Sequence, residues 1–292
     1  MLLPIYIQFR HYTLKSNSKS HLVIHLHQDF FLPNRFGSLL KVGQLLKPLT
    51  PYALQDKIPP RQKSSPWPSS SHDRVMLVLA GCAQPSAAPN TNAAAARVLD
   101  KLGITLVEAP KAGCCGAVSY HMSAHDEGLD FMRRNIDAWW PAVESGAEAL
   151  VMTASGCGAM VKDYGNLLKN DLHYSKKAAK VSELCRDLSE VLLDEDLSTL
   201  KLAKRDEKVA FHCPCTLQHA LQLSGVVEQV LEKAGVNLVK TKDKHLCCGS
   251  AGTYSILQPE MSQRLLANKL KALTVDEPQR IVTANIGCQL HL

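Results

Sequence analysis

The sequence predicts an α/β fold of two tandem, related cysteine-rich domains with parallel βαβ units, preceded by an irregular N-terminal tail. Three observations carry that prediction. From Asp73 onward an apolar run, a turn, an amphipathic stretch and a second apolar run follow one another, and the same order returns after Lys208. All ten cysteines lie at or beyond Cys82. Cys82 to Cys114 and Cys215 to Cys247 are the same 32-residue interval, and Leu99-Asp-Lys-Leu-Gly-Ile-Thr-Leu-Val stands against Leu231-Glu-Lys-Ala-Gly-Val-Asn-Leu-Val. A period shared by the cysteines and their flanking residues marks an internal duplication.

Taken in order, residues 1–71 read as a tail and linker. The first 30 residues show no clean period. Phe36-Gly-Ser-Leu-Leu-Lys-Val-Gly-Gln-Leu-Leu has apolar residues at helical spacing, which predicts a short helix up to Pro48, and Ser64-Ser-Pro-Trp-Pro-Ser-Ser-Ser has linker composition. The first domain, residues 72–204, opens with a buried strand at Val75-Met-Leu-Val-Leu-Ala80. A helix from Asn90 to Leu102 stops at Gly103, and a second strand follows at Ile104-Thr-Leu-Val-Glu. The second domain, residues 205–292, repeats this with a strand at Val209-Ala-Phe-His, a helix from Gly225 to Lys233 and a strand at Val236-Asn-Leu-Val-Lys. Each copy ends alike, as Val151-Met-Thr-Ala-Ser-Gly-Cys and Val282-Thr-Ala-Asn-Ile-Gly-Cys, so each places a strand before a Gly-Cys turn. Three cysteine-bearing loops then sit at the ends of adjacent strands, where α/β sheets build sites. Tandem related domains of this kind are expected to pack with an approximate two-fold relation.

Composition excludes several classes of function. The 292 residues are 46% hydrophobic and 21% charged, enough to bury a core, which rules out a mostly disordered or fibrous chain. The net charge of +6 comes from scattered Lys and Arg, without the stripe that nucleic-acid binding needs, so no nucleic-acid partner is expected. No stretch reaches the roughly 18 apolar residues of a membrane span. The first 25 residues, with Arg10, His11, Lys15 and Lys19, lack a continuous apolar signal region, and a cytoplasmic chain is the expectation. Thiols packed into matching clusters in a long chain of this kind point to metal rather than to a disulfide scaffold.

Each repeat converges a strand-end cysteine, a Cys-Cys-Gly and a Gly-Cys. Four thiolates from such points satisfy an iron-sulfur cluster or a tetrahedral zinc, both of which favour soft sulfur ligands. Gly81, Gly116, Gly156, Gly249 and Gly287 lie beside cysteines, where a missing Cβ lets backbone approach an inorganic core. No C-x2-C occurs, which excludes a zinc ribbon and the bacterial ferredoxin run. Vicinal cysteines in duplicate also differ from a catalytic thiol with one oriented base, so hydrolysis is not expected.

The same residues resemble the cysteine-rich CCG domain proteins, which include a cysteine-rich component of heterodisulfide reductase, and among them the glycolate oxidase iron-sulfur subunits are most similar. The resemblance rests on Gly81-Cys-Ala-Gln-Pro, Pro89-Asn-Thr-Asn-Ala-Ala, Ala112-Gly-Cys-Cys-Gly-Ala-Val, Asn135-Ile-Asp-Ala-Trp-Trp-Pro and Thr153-Ala-Ser-Gly-Cys-Gly-Ala. In the second repeat it rests on Ala210-Phe-His-Cys-Pro-Cys-Thr-Leu-Gln-His, His245-Leu-Cys-Cys-Gly-Ser-Ala-Gly-Thr-Tyr and Thr283-Ala-Asn-Ile-Gly-Cys-Gln. It runs from about Asp73 to the end, with a weaker echo from Pro33 to Pro60.

The resemblance implies an iron-sulfur electron-transfer subunit of an oxidoreductase, which relays electrons from FAD-binding subunits toward a quinone acceptor and does not itself touch glycolate. It implies a peripheral position on the cytoplasmic face of the inner membrane. Carried over residue by residue, the metal ligands are Cys82, Cys114, Cys115 and Cys157 in one repeat, and Cys213 or Cys215 with Cys247, Cys248 and Cys288 in the other. The implied cofactor is a cluster of 4Fe-4S type, cubane or non-cubane, with zinc in one repeat as the alternative. The other readings are a zinc-stabilised assembly module, a heterodisulfide-reductase-like subunit, and a subunit of a lactate or glycerol-3-phosphate system. The family opens with a ferredoxin-like region holding two further clusters and continues past the final Gly-Cys, whereas here no cysteine precedes Cys82 and four residues follow Cys288. The expectation is a truncated product without that entrance.

Several conspicuous residues have plainer readings. Cys185, in the helical stretch Val181-Ser-Glu-Leu-Cys-Arg-Asp-Leu, is expected to be a buried free thiol. His212 and His245 are expected to support the metal site by hydrogen bonds rather than to ligate it. Trp139 and Trp140 read as core, and Gly249-Ser-Ala-Gly-Thr lacks the order of a phosphate loop and reads as part of the cysteine turn.

Overall fold

The computed structural model describes residues 33–50, 58–200 and 205–292. The first 32 residues of the predicted tail lie outside them. The helix expected up to Pro48 is present as Pro33–Leu46, followed by a 3-10 turn at Lys47–Leu49.

The first domain is a parallel four-stranded sheet, β1 (Arg74–Val78), β2 (Ile104–Glu108), β3 (Leu150–Met152) and β4 (Cys185–Asp187), in the order β2-β1-β3-β4. β1 pairs with β2 from Arg74↔Ile104 to Val78↔Glu108, and with β3 at Leu77↔Leu150 and Val78↔Val151. The expected crossover helix is Asn90–Lys101, and the chain turns into β2 through Gly103 at φ +76°. Its inward face of Ala95, Ala96 and Leu99 packs on Met76, Val78, Ile104 and Leu106. The other side of the sheet carries the larger cluster, with Trp139, Met132, Ile136, Tyr164 and Val181 buried against Leu77, Leu150 and Met152. Trp139 is core as expected, whereas Trp140 is half-buried beneath the Lys177 ammonium, 5.0 Å from its ring centroid.

β4 corrects one expectation. The helical periodicity around Cys185 belongs to the helix Ser175–Leu184, which ends just before it, and Cys185 itself is extended at φ −69°, ψ 120°. Its register with Leu150 adds a fourth strand, and the chain turns into the next helix through a capping box of Asp187 with Glu190. The Cys185 thiol is buried and free as expected, and burial pushes its pKa up to about 12.

The second domain repeats the plan on three parallel strands, β5 (Arg205–His212), β6 (Val236–Leu238) and β7 (Arg280–Thr283), in the order β6-β5-β7. β2-β1-β3 and β6-β5-β7 are the same topology, and among the described residues no strand of the second sheet corresponds to β4. Its crossover helix Val226–Lys233 starts at Gly225, φ +83°. Its principal core cluster is smaller, built on Phe211, Cys213 and Leu217.

The linker composition of residues 64–71 hides a docked segment. The Ser65 amide donates to Asn90 Oδ1 (3.1 Å), Trp67 Nε1 to the Leu106 carbonyl (3.1 Å) and the His72 amide to Thr105 Oγ1 (2.7 Å). Pro-rich chain cannot add a regular strand to the edge of β2, so single side-chain bonds tie it there instead.

Candidate metal centres

The cysteine turns follow directly from the strands. In a parallel sheet all strands end on the same side, so the segments after β1, β2 and β3 converge: Cys82, Cys114 and Cys115 lie on connecting segments, and Cys157, expected on a turn, is in the first turn of the helix Ser155–Lys162. After β5, β6 and β7 come Cys215, the pair Cys247 and Cys248, and Cys288 in the helix Ile286–Gln289. In the first set the thiols act on one another in sequence, Cys82 on Cys114, Cys114 on Cys115 and Cys115 on Cys157. In the second the same chain of neighbours is Cys215, Cys247, Cys248 and Cys288. Two four-sulfur sets are assembled in identical order.

Both Cys-Cys-Gly turns use their glycine in the same way. Gly116 sits at φ +85° and Gly249 at φ +90°. A Cβ on Gly116 would stand 2.7 Å from the Gly128 carbonyl, and one on Gly249 2.5 Å from the Ser262 carbonyl. No other residue satisfies both the left-handed backbone and that approach. The glycine amides donate back to sulfur, Gly116 to Cys114 Sγ (3.4 Å) and Gly249 to Cys247 Sγ (3.3 Å).

Crowded thiols cannot all ionise, and their pKa values split. Hydrogen bonds from Cys115 and Cys82 hold Cys114 well below the usual thiol range, and those neighbours, bonded to it, are pushed up. Cys247 is likewise held down by its bonds with Cys215 and Cys248, which are raised. Such a set is stable with every sulfur deprotonated only around a cationic centre, and soft donors in this number fit a zinc ion or an iron-sulfur cluster.

The two sequence alternatives in the second set have different surroundings. Cys213 lies in the apolar cluster with Phe211 and Leu217, where burial pushes its pKa up to about 11, and its nearest polar contact is the Pro214 carbonyl at 4.0 Å. Cys215 is the residue that acts on Cys247. The shared 32-residue interval puts it at the position of Cys82, and Cys213 at that of Ala80.

The histidines also part. His245 is exposed and has no hydrogen bond to a thiol among the described residues. His212 is 1% exposed, with Nδ1 against Thr283 Oγ1 at 2.9 Å and Nε2 buried without a partner. One of its ring nitrogens and the sulfurs of Cys248 and Cys288 all lie within 4.8 Å of one another. Burial pulls its pKa down to about 4, so the ring is neutral at pH 7.

Residues outside the cysteine motifs complete each site, and their roles were not legible in sequence. Asn135, fully buried, accepts from the Gly113 amide (2.9 Å) and donates to the Cys114 carbonyl (2.8 Å) and to Tyr164 Oη (3.1 Å). Tyr164 in turn donates to the Cys115 carbonyl (2.8 Å). Lys269, 1% exposed, takes the corresponding place in the second repeat, seven residues beyond Ser262 as Asn135 is seven beyond Gly128. Its Nζ donates to the carbonyls of Asp243 (3.3 Å) and Lys244 (3.1 Å). Burial lowers its pKa while the nearby sulfurs of Cys213, Cys248 and Cys247 act to raise it.

The sets adjoin. Asn285 Nδ2 donates to Cys288 Sγ (3.4 Å), and Asn285 Oδ1 accepts from the amide of Gly156, the neighbour of Cys157 (3.2 Å). The Ser155 amide donates to the Ala284 carbonyl (3.0 Å), and Ser155 Oγ pairs with Thr216 Oγ1 (2.8 Å). The equivalent Gly-Cys segments of the two repeats are therefore in contact. A cavity beside Cys82 and Cys157 is lined by Gln84 and Thr153 of the first repeat and Ile286 of the second.

Comparison with known proteins places these features. The cysteine-rich domain designated CCG matches residues 76–162 and again 209–292. The glycolate oxidase iron-sulfur subunit of Escherichia coli is 54% identical over 261 residues, covering 89% of this chain and 64% of that protein. The probable glycolate oxidase iron-sulfur subunit of Bacillus subtilis is 33% identical, over 73% of this chain and 48% of the relative. Lactate utilization protein A of Anoxybacillus flavithermus is 24% identical, over 70% of this chain and 84% of the relative. The chain thus spans less than two thirds of the length of the first two curated relatives.

Proposed function

The chain belongs to the cysteine-rich CCG domain family, and from that premise we propose that it is an iron-sulfur electron-transfer subunit of a glycolate oxidase complex. The observation that carries this reading is the pair of four-thiol sets, built in the same order on equivalent strand ends. Cys82, Cys114, Cys115 and Cys157 would hold one cluster, and Cys215, Cys247, Cys248 and Cys288 the other. Bound clusters supply one-electron redox chemistry without making or breaking bonds to substrate.

The chain's own residues do the rest. Gly116 and Gly249 bring backbone amides to sulfur, Asn135 and Tyr164 tie down the carbonyls of Cys114 and Cys115, and Asn285 joins the two sets. Electrons would come from FAD-binding subunits that oxidise glycolate and leave toward a quinone. No helix among the described residues is long and apolar enough to cross a membrane, so access to a quinone would be peripheral. The lactate-utilization relatives carry the same domain, and the cysteine geometry does not separate the two substrates. The 54% identity to the E. coli subunit favours glycolate.

Anaerobic purification with iron, acid-labile sulfide and zinc counted per chain, followed by EPR of oxidised and reduced protein, tests this. Iron and sulfide in equal amounts with a redox-active signal are expected. His212, Cys248 and Cys288 also form a group that suits zinc, which favours a second reading as a zinc-stabilised assembly module. Zinc without sulfide would establish that reading and overturn the first.

A further inference from the structure

We propose that the second thiol set holds the higher-potential centre of the two, because His212 and Lys269 set a buried N–H donor and a buried cation against it where the first repeat has Leu79 and Asn135. The inference rests on the iron-sulfur reading and adds the order in which the two centres accept electrons.

The equivalence of these positions comes from register. His212 is three residues before Cys215 and pairs with Thr283 of β7, while Leu79 is three before Cys82, one residue past the Val78↔Val151 pair and so level with Met152 of β3. An apolar Leu79 and Met152 in one repeat are thus replaced by a hydrogen-bonded His212 and Thr283 in the other. Thr283 Oγ1 occupies Nδ1 and leaves Nε2 buried without a partner. A ring nitrogen of His212 lies within 4.8 Å of the Cys248 and Cys288 sulfurs, so an N–H there would have sulfur as its acceptor.

Lys269 adds charge. Its ammonium is bonded only to two backbone carbonyls and has no carboxylate ion pair among the described residues, so its field is left to act on the thiolates. Glu228, the acid acting on nearby Cys213, is itself paired with Lys244 at 3.2 Å. Asn135 holds the matching loop of the first repeat with dipoles alone. The cation acting there, Arg134, is exposed over the Phe131 ring, 4.7 Å from its centroid, where water and salt screen it. Reduction adds a negative charge to a cluster, so a buried cation and an N–H bond to sulfur both stabilise the reduced form and raise the potential. The effect is strong where the dielectric is low.

The test is an EPR-monitored reductive titration of the anaerobically purified full chain beside Cys114→Ser and Cys247→Ser, which assign each signal to a set. The signal missing from Cys247→Ser is expected to appear first as the potential is lowered. The repeat-swapping variants His212→Leu and Lys269→Asn are expected to shift that signal down, each by tenfold or more in the reduced-to-oxidised ratio at fixed potential, equal to about 59 mV for one electron. The other signal should stay in place, and Lys269→Arg should restore the shift. Equal or reversed potentials in the unsubstituted chain would overturn the inference even if a variant fails to fold. Nitrogen hyperfine coupling from a directly bound imidazole would overturn the donor role of His212. Absence of iron and sulfide altogether would instead count against the electron-transfer reading.

Discussion

The two repeats assemble four thiols in the same order and on the same glycine geometry, but they rest on different foundations. The first builds its turns on four strands and a core containing Trp139, Tyr164 and Met132, and pins the Cys-Cys loop with the neutral network of Asn135 and Tyr164. The second has three strands and a smaller core around Phe211 and Leu217, and pins its loop with Lys269. Duplication preserved what contacts sulfur through the backbone, while the side chains behind the turns diverged. The difference teaches that ligand geometry and electrostatic setting are separable: glycine and strand ends supply the first, and one or two buried residues behind them supply the second.

The largest expected effect breaks the foundation of one repeat. Trp139→Ala should cost about 3–5 kcal/mol, because a fully buried indole leaves a cavity that the rigid sheet cannot fill. Denaturant unfolding with thiol accessibility as the second probe should show Cys114 and Cys115 exposed earlier than Cys247 and Cys248. Simultaneous exposure of all four would mean that the repeats unfold as one unit.

A smaller effect sharpens the shared geometry. Gly116→Ala and Gly249→Ala should each cost about 1–3 kcal/mol for the left-handed backbone, with the close carbonyl added to it. Each should remove the metal of its own repeat and spare the other, as counted by iron and sulfide per chain. Loss of both centres from either variant would show that the sets form cooperatively.

The smallest effect lies at the junction. Asn285→Ala removes a bond to Cys288 and one from the Gly156 amide, at about 0.5–1.5 kcal/mol for each net hydrogen bond. Hydrogen exchange at Gly156 should accelerate while the Gly116 and Gly249 amides keep their protection. Unchanged exchange at Gly156 would show that the Ser155 contacts alone hold the turns together.

Much of this was legible in the chain because it is local. Apolar runs and helical spacing placed β1, β2, β5 and both crossover helices to within a few residues, and the equal cysteine intervals exposed the duplication. Cys185 misled because Ser175–Leu184 is helical up to the residue before it, and a three-residue strand has too few positions to show a period. The choice between Cys213 and Cys215 stayed open in sequence, since both flank Pro214 and the path of the chain beyond the end of β5 decides which one enters the core.

The sequence by itself determined the α/β class, the two repeats, and the set of thiols from which the sites are made, because these follow from periodicity and from residue types that few other structures use. Only the tertiary structure decided which thiols meet, that His212 is buried beside one set while His245 stays at the surface, that Lys269 stands where Asn135 does, and that Asn285 joins the two repeats. Those contacts link residues far apart in the chain through strand register and helix packing. Their energy comes from burial and from hydrogen bonds that exist only once both partners have been brought out of water.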